Sequence, residues 1–340
     1  MHRSEIRIDL GALRRNVRTL LRVLEGAELW AVVKADAYGH GDRDVAGAAL
    51  AAGASALCVA TVAEGAALRD ELREARILVM GPITSNRDIA RAREARLELA
   101  ISDGEIPDGI PVHLKLDTGM GRYGLAELPP PGATVVGLMT HLATADTDEA
   151  FARRQVERFL AATAPFAHLT RHAANSAAAL RLPEARLDAV RCGIALYGLS
   201  PFGTDPAADG LEPVLSWSTQ LAQTKLLRAG ESTGYGRQFV AERDTWIGLV
   251  PVGYADGFRR DLTGTEVRVA GEPRRVVGTV SMDSFAVELD RQLPPGTPVV
   301  LLGQGLLAEA HARVADTINY ELVCGINADP RRARRTVVDG

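Results

Sequence analysis

The chain has very little lysine. Of its 39 basic residues only Lys34, Lys115 and Lys225 are lysine; the other 36 are arginine. A guanidinium stays protonated and forms no Schiff base, whereas an amine can lose its proton and do so. Lysine is therefore kept where a primary amine is needed. Cysteine is also scarce. Cys58, Cys192 and Cys324 are isolated and odd in number, with no Cys-x-x-Cys pair. That is a poor disulfide framework and fits a reducing cytoplasm. No apolar run approaches the roughly 20 residues of a membrane span. The polar opening Met1-His2-Arg3-Ser4-Glu5 is not followed by a signal-peptide hydrophobic region. Neither charge sign dominates: the net charge is −4 and the pI about 6.0, which argues against nucleic acid or an anionic membrane as partner. His-Glu-x-x-His, paired cysteines and a P-loop are absent, so neither metal nor nucleotide is indicated.

What is present reads as two domains. Short apolar runs over 29–34, 56–60, 76–80, 97–101, 112–117, 134–140, 167–172 and 187–191 predict strands. Alanine-rich amphipathic stretches over 42–52, 62–74, 86–95 and 147–163 predict helices between several of them, after a first helix starting near Asp9-Leu10-Gly11. Eight strands in β-α alternation predict an α/β architecture, a (β/α)8 TIM-like barrel over residues 8–210. The Gly/Pro/Asp-rich stretch 201–213 reads as a linker. Beyond it, β-branched segments at 215–228, 245–253, 266–271, 275–281, 284–289 and 298–302, separated by turn signals, predict a mostly β C-terminal domain over 211–340. One helix at 307–318 interrupts it, and residues 1–7 are expected to pack with it.

In a barrel, chemistry collects at the C-terminal ends of the strands. Lys34 sits there, after Leu29-Trp30-Ala31-Val32-Val33 and before the turn residues Gly39 and Gly41. Its position points to carbonyl chemistry. The segment Lys115 to Arg122, Thr140-His141, His172 with Asn175-Ser176, and Arg191-Cys192-Gly193 occupy four further strand ends. Singly, a strand-end lysine reads as a solvated charge, His141 and His172 as hydrogen-bonded structural histidines, and Ser176 as an N-cap. Their convergence outweighs those readings. Gly119 to Gly124 fits the G-x-G-x-x-G spacing of a dinucleotide fold, but Pro129-Pro130-Pro131 leaves no room for the helix that motif requires. Asn175-Ser176 and Arg191-Cys192-Gly193 offer hydroxyl and backbone N–H donors to a phosphate. In the second domain, Gly234-Tyr235-Gly236-Arg237 and Gly253-Tyr254-Ala255-Asp256-Gly257 place tyrosines on glycine turns, and Gly278 to Asp283 ends a strand in a polar turn.

Together the motifs AVVKADAYGHG, KLDTGMGRYG, TH, HAANS, RCGIALYG, GYGR, PVGYADG and GTVSMD resemble the alanine racemases, pyridoxal-phosphate enzymes of the barrel-plus-β-domain class, from about Ile8 to Cys324. The resemblance implies a head-to-tail homodimer whose active sites each combine one barrel with the partner's β-domain. It implies that Lys34 holds pyridoxal 5'-phosphate covalently and is the base on one face of the substrate Cα. Tyr235 of the partner subunit is then the base on the other. Tyr38, Asn175, Ser176, Gly193 and Ile194 would bind the phosphate end. Arg191 would face the pyridine nitrogen; a guanidinium accepts no hydrogen bond, so that nitrogen stays unprotonated. His141 would lie between Arg191 and the partner tyrosine, and Arg122 would contact the cofactor's phenolic oxygen and the substrate carboxylate. Met282 and Asp283 of the partner subunit would help bind that carboxylate, and Tyr254 would line the way in. Lys115 would be carbamylated and orient Arg122; Lys225 reads as a surface charge. The activity implied is interconversion of L- and D-alanine for bacterial peptidoglycan. The alternatives are a racemase of the same fold acting on serine or a broader set of amino acids, a pyridoxal decarboxylase of similar fold, and a pyridoxal-phosphate carrier. A decarboxylase of that fold carries a carboxylate where Arg191 stands, and the carriers resemble the barrel alone. Two departures stand out. The family's C-terminal tyrosine is absent from the stretch around Ala328, and Cys192 stands where the family often has proline or another small residue, with little effect expected beyond oxidant sensitivity.

Overall fold

A computed structural model describes residues 3–340. The chain divides into two compact units, one formed by 12–202 with 206–212, the other by the residues through Gly11 with 203–205 and 213–340. The first strand, β1 (Ser4–Asp9), belongs to the latter.

In the former unit, strands β2 (Glu28–Val32), β3 (Ala56–Val59), β4 (Ile77–Val79), β5 (Glu98–Ile101), β6 (Val112–Lys115), β7 (Val135–Met139), β8 (Thr170–His172) and β9 (Ala189–Cys192) form one parallel sheet in the order β8-β7-β6-β5-β4-β3-β2-β9. The two ends of that order, β8 and β9, meet through single bonds. The Asp188 N–H donates to the Arg171 carbonyl at 3.1 Å, and the Arg171 N–H to Asp188 Oδ2 at 2.7 Å. The sheet is thus a nearly closed (β/α)8 TIM-like barrel. Helices Asp42–Ala51, Val62–Arg69, Asn86–Glu94, Glu149–Thr163 and Ser176–Arg181 follow individual strands. Thr61, Ser85, Asp148 and Asn175 cap four of them by accepting from the third backbone N–H of the helix. The helix expected over 62–74 stops at Arg69, because the Arg69 guanidinium gathers the carbonyls of Leu72, Arg73, Ala95 and Arg96 at 2.7–3.0 Å.

The barrel interior is polar as well as apolar. His113 and Lys115 alternate on β6, and both are buried. Gly137 on the neighbouring β7 leaves the space the His113 ring occupies: a Cβ there would lie 2.1 Å from His113 Nδ1. Gly137→Ala is therefore expected to destabilise the fold by about 1–3 kcal/mol, the usual cost of overpacking a filled core. The check is a lower urea midpoint at unchanged slope.

The other unit is built on strands β10 (Leu215–Gln220), β11 (Gln223–Leu227), β12 (Ser232–Thr233), β13 (Phe239–Val240), β14 (Thr245–Val250), β15 (Glu266–Val269), β16 (Glu272–Val277), β17 (Phe285–Leu289), β18 (Pro298–Leu302) and β19 (Ala333–Val338). Nine strands form one sheet in the order β11-β14-β17-β16-β15-β18-β10-β1-β19, and β12 pairs with β13 alone. Ile6 and Ile8 of β1 point inward and are fully buried. Phe258 stacks on Phe285 with ring centroids 4.3 Å apart. The single segment expected at 215–228 breaks at Leu221 and Ala222, whose N–H groups turn to Thr297 and Leu249 as the chain leaves β18 for β14. The helix expected at 307–318 is two, Ala308–Val314 and Asn319–Cys324, separated where Asp316 adopts φ 49°. Among the described residues no helix is long and apolar enough to cross a membrane.

Candidate active site

Lys34 leaves the C-terminal end of β2 and opens a turn of unusual hand. Ala35, Asp36, Ala37 and Tyr38 all have φ between 51° and 56°, one left-handed turn built without glycine. Each such residue costs roughly 1–2 kcal/mol, so the turn must be held. The Glu64 carboxylate holds it. Oε1 accepts the Ala35 N–H at 2.9 Å, while Oε2 accepts from Ala60 and Thr61 at 2.7 and 3.0 Å. Beyond the turn, Asp36 Oδ1 accepts the Asp42 N–H at 3.0 Å. Lys34 is half-buried and Tyr38 is buried.

Tyr38 closes on the end of β9. A Cβ on Gly193 would lie 2.4 Å from the Tyr38 hydroxyl. Ser176 Oγ accepts the N–H groups of Gly193 and Ala195 at 3.0 and 3.4 Å. Tyr38, Ser176, Gly193 and Ile194 thus gather around a place where a side chain at 193 has no room. Asn175 serves locally as the cap that accepts from Ala178. The Tyr197 hydroxyl donates to the Val32 carbonyl at 2.8 Å, tying this corner back to β2.

Arg191 is buried among acceptors. Its guanidinium donates to the carbonyls of Thr140, His172 and Ala173 at 2.7, 2.8 and 3.2 Å and to His172 Nδ1 at 2.7 Å; His141 Nδ1 lies 3.4 Å away. Burial lowers its pKa to about 10, so it keeps its charge at neutral pH. Burial, reinforced by the charges of Arg191, Arg122 and Lys115, pushes His141 down to about 3 and leaves it neutral. Lys115 is buried, and burial with the Arg122 charge lowers its amine to about 8. Arg122 itself is exposed, on a loop whose form is set by Asp117 Oδ1, which accepts from Gly119, Met120 and Gly121 at 2.8–3.2 Å. Cys192 is buried and burial pushes its thiol up to about 12, so its reactive thiolate is scarce.

On the β unit the predicted residues are displayed outward. Tyr235 is 73% exposed, Met282 55% and Tyr254 44%. Gly234 and Gly236, at φ 77° and 72°, flank Tyr235, whose carbonyl accepts from the Thr279 hydroxyl at 2.9 Å. The Tyr254 and Met282 loops are fastened together. The Tyr254 and Ala255 N–H groups donate to the Ser281 and Met282 carbonyls at 3.1 and 3.0 Å. Arg332 bridges Asp256 and Asp283 at 2.7 and 2.6 Å. The Asp283 carboxylate is thus engaged by Arg332 within its own protomer.

The comparisons with known proteins agree with this geometry. The profile of the alanine racemase N-terminal domain matches residues 8–201, and that of the C-terminal domain matches residues 214–335. The chain belongs to the alanine racemase family. Alanine racemase 1 of Bacillus subtilis is 41% identical over 94% of this chain and 90% of its own length. Alanine racemase of Symbiobacterium thermophilum is 42% identical over 94% of each. Among solved structures, the alanine racemase from Streptomyces coelicolor superposes with a TM-score of 0.90 at 38% identity, covering 99% of this chain and 98% of that one. The biosynthetic alanine racemase from Pseudomonas aeruginosa gives a TM-score of 0.92 at 35% identity, covering 99% of this chain and all of that one. The protein is thus an enzyme, an amino-acid racemase of the isomerase class.

Three residues of this racemase were not singled out by sequence. Glu64 carries the signal of a capping box with Thr61, which accounts for only part of what its carboxylate holds. His113 precedes Lys115 by two on one strand, and Glu98 opens another; nothing in the sequence pairs them.

Proposed function

We propose that this racemase interconverts L- and D-alanine with pyridoxal 5'-phosphate, in the cytoplasm, as a homodimer that supplies D-alanine for peptidoglycan. The observation that carries the reading is the corner where Lys34 opens the left-handed turn and Tyr38, Ser176 and Gly193 leave a cradle that a Cβ would fill. That cradle has the hydroxyl and N–H donors a phosphate needs, and the amine beside it suits an aldehyde, so the residues fit the cofactor. Tyr38, Ser176, Gly193 and Ile194 would hold its phosphate, with Asn175 fixing the local backbone. Lys34 would hold its aldehyde carbon, and Arg191 would face its ring nitrogen.

When bound, pyridoxal phosphate supplies the electron sink that makes the substrate Cα proton removable. The chain's own residues do the rest. Lys34, released from the cofactor's aldehyde carbon when the substrate's amine takes its place, would take or return the Cα proton on one face. Tyr235 of the partner subunit does so on the other, and its exposure at the tip of a glycine turn suits a residue that completes a neighbouring subunit's site. His141, held neutral beside Arg191, is able to accept or donate a proton at the tyrosine. Arg191 has only donors, so it leaves the ring nitrogen unprotonated and favours prompt return of the proton. Arg122 binds the substrate carboxylate, assisted by Met282 and Asp283 of the partner subunit, and Tyr254 lines the approach. The lowered pKa of Lys115 supports its carbamylation, since only the neutral amine adds carbon dioxide; the carbamate would then orient Arg122.

The test is a chiral assay. The protein with pyridoxal phosphate is incubated with L-alanine, L-serine and L-lysine separately, and D-isomers and amines are quantified. D-alanine as the dominant product is expected. D-serine or D-lysine in its place would move the substrate while keeping the chemistry. Amine product would overturn the role of Arg191.

A further inference from the structure

Arg191 begins a line of hydrogen bonds that runs through the barrel interior to the N-terminal ends of the strands. Its Nη1 lies 2.7 Å from His172 Nδ1, and His172 Nε2 lies 2.8 Å from His113 Nδ1. His113 Nε2 lies 2.9 Å from Glu98 Oε2, and Arg76 Nε lies 2.8 and 3.0 Å from the two Glu98 oxygens. The direction of every bond follows from the ends. A guanidinium only donates and a carboxylate only accepts. His172 Nδ1 must therefore accept, which places its proton on Nε2. His113 Nδ1 then accepts, which places its proton on Nε2, facing Glu98. No other pair of neutral tautomers satisfies all three contacts.

Arg191 at one end is a cation and Glu98 at the other is an anion, shared with Arg76 at 2.8 Å. Arg191 is 3% exposed, and its direct partners are three carbonyls and two imidazoles. Among the described residues no carboxylate is hydrogen-bonded or ion-paired to it. A buried cation without a counter-charge is costly, and oriented dipoles that end on an anion offset part of that cost. Trp30 packs on both imidazoles, at 5.6 Å from His113 and 4.5 Å from His172, and Gly137 makes room for the former.

We propose that Glu98 is the counter-charge of Arg191, acting through His113 and His172, and that it is a positioning residue for the racemase. It rests on the reading above that Arg191 faces the cofactor's ring nitrogen. Glu98 accepts the last proton of the line and Arg191 donates the first, so both tautomers, and the acceptor on which the guanidinium is aligned, are held from the two ends together. The titration behaviour agrees. Burial would raise the Glu98 carboxyl, but the hydrogen bonds from His113 and Arg76 outweigh it and hold it low. Burial holds His113 below its ordinary value and His172 well below.

Side-chain nitrogen NMR of the histidines in the holoenzyme, between about pH 6 and 9, tests this. The wild type is expected to show His113 and His172 neutral, protonated on Nε2 and not titrating. Glu98→Gln removes the anion: whichever way its amide turns, the His113 Nε2–H loses its charge-assisted acceptor, so the His113 ring signals should shift from their wild-type positions. The kcat should then fall roughly tenfold, the low end of what removing a group behind an active-site side chain costs. The KM for alanine should move less than about threefold. Arg76→Gln keeps the carboxylate and should keep both tautomers, separating the relay from disturbance of the barrel mouth. A wild-type ring that is cationic or protonated on Nδ1 overturns the proposal without any variant. A Glu98→Gln protein that changes in only one readout, or in neither, overturns it too. The spectra read the tautomers whether or not alanine is racemised, so loss of the functional reading is told apart from loss of this one.

Discussion

Lys34→Ala is expected to give a folded protein whose alanine racemisation falls by at least about four orders of magnitude, the scale seen when a covalent catalytic group is removed. The fold should persist, because the turn that follows is held by Glu64 and by backbone bonds. The visible absorbance of a lysine-linked pyridoxal group should vanish in the same variant. Lys34→Arg sharpens the result: it keeps the positive charge but not the amine, and a guanidinium forms no such link, so it should be as inactive as alanine. Racemisation within about tenfold of wild type in either variant would sink the assignment of Lys34.

The second large effect concerns Tyr235. Its side chain is mostly in solvent in one protomer, so Tyr235→Phe should change stability by no more than about 0.5 kcal/mol, as for surface positions generally. Racemisation, by contrast, should drop by about three orders of magnitude in both directions, with the cofactor still bound, because a phenyl ring carries no proton to return. Mixing the inactive Lys34→Ala and Tyr235→Phe proteins should restore activity. In a twofold dimer with shared sites, random exchange makes half the dimers hybrids. Each hybrid has one intact site, so about a quarter of wild-type activity is expected. Verified hybrids with no recovery would show that each site is built from one subunit.

The barrel was legible because its strands are short runs of buried apolar residues that alternate with alanine-rich helices. The edges of the β unit were less so. Ser4-Glu5-Ile6-Arg7-Ile8-Asp9 alternates as a strand should, with Ile6 and Ile8 inward, yet it reads as a polar lead-in. Ala333–Val338 pairs with it in parallel, and its arginines disguise it as a basic tail. The candidate residues of the barrel stand at strand ends, where their motifs put them, but the groups that support them were not legible. Ala35-Asp36-Ala37-Tyr38 contains no glycine, and nothing local foretells a left-handed turn. The Glu98–His113–His172 line takes one residue from each of three strands, so only the closed barrel assembles it. The missing C-terminal tyrosine drew attention to the stretch around Ala328. It was Arg332, just beyond, that tied Asp256 to Asp283.

The Glu64 bond to the left-handed turn makes the shape of the segment after Lys34 depend on the next β-α unit. Glu64 lies one β-α unit downstream of Lys34, and its carboxylate spans the ends of β2 and β3. Before that unit folds, four residues after Lys34 have no reason to leave the ordinary right-handed or extended regions, and the amine rides on a flexible segment. A chain emerging from the ribosome, or one with its second β-α unit melted, would carry the reactive lysine without the geometry that aims it. The same carboxylate that stabilises a helix start thus also ties the backbone after Lys34 to the next β-α unit, and on the role proposed for Lys34 the amine would be aimed only once those neighbouring units have met.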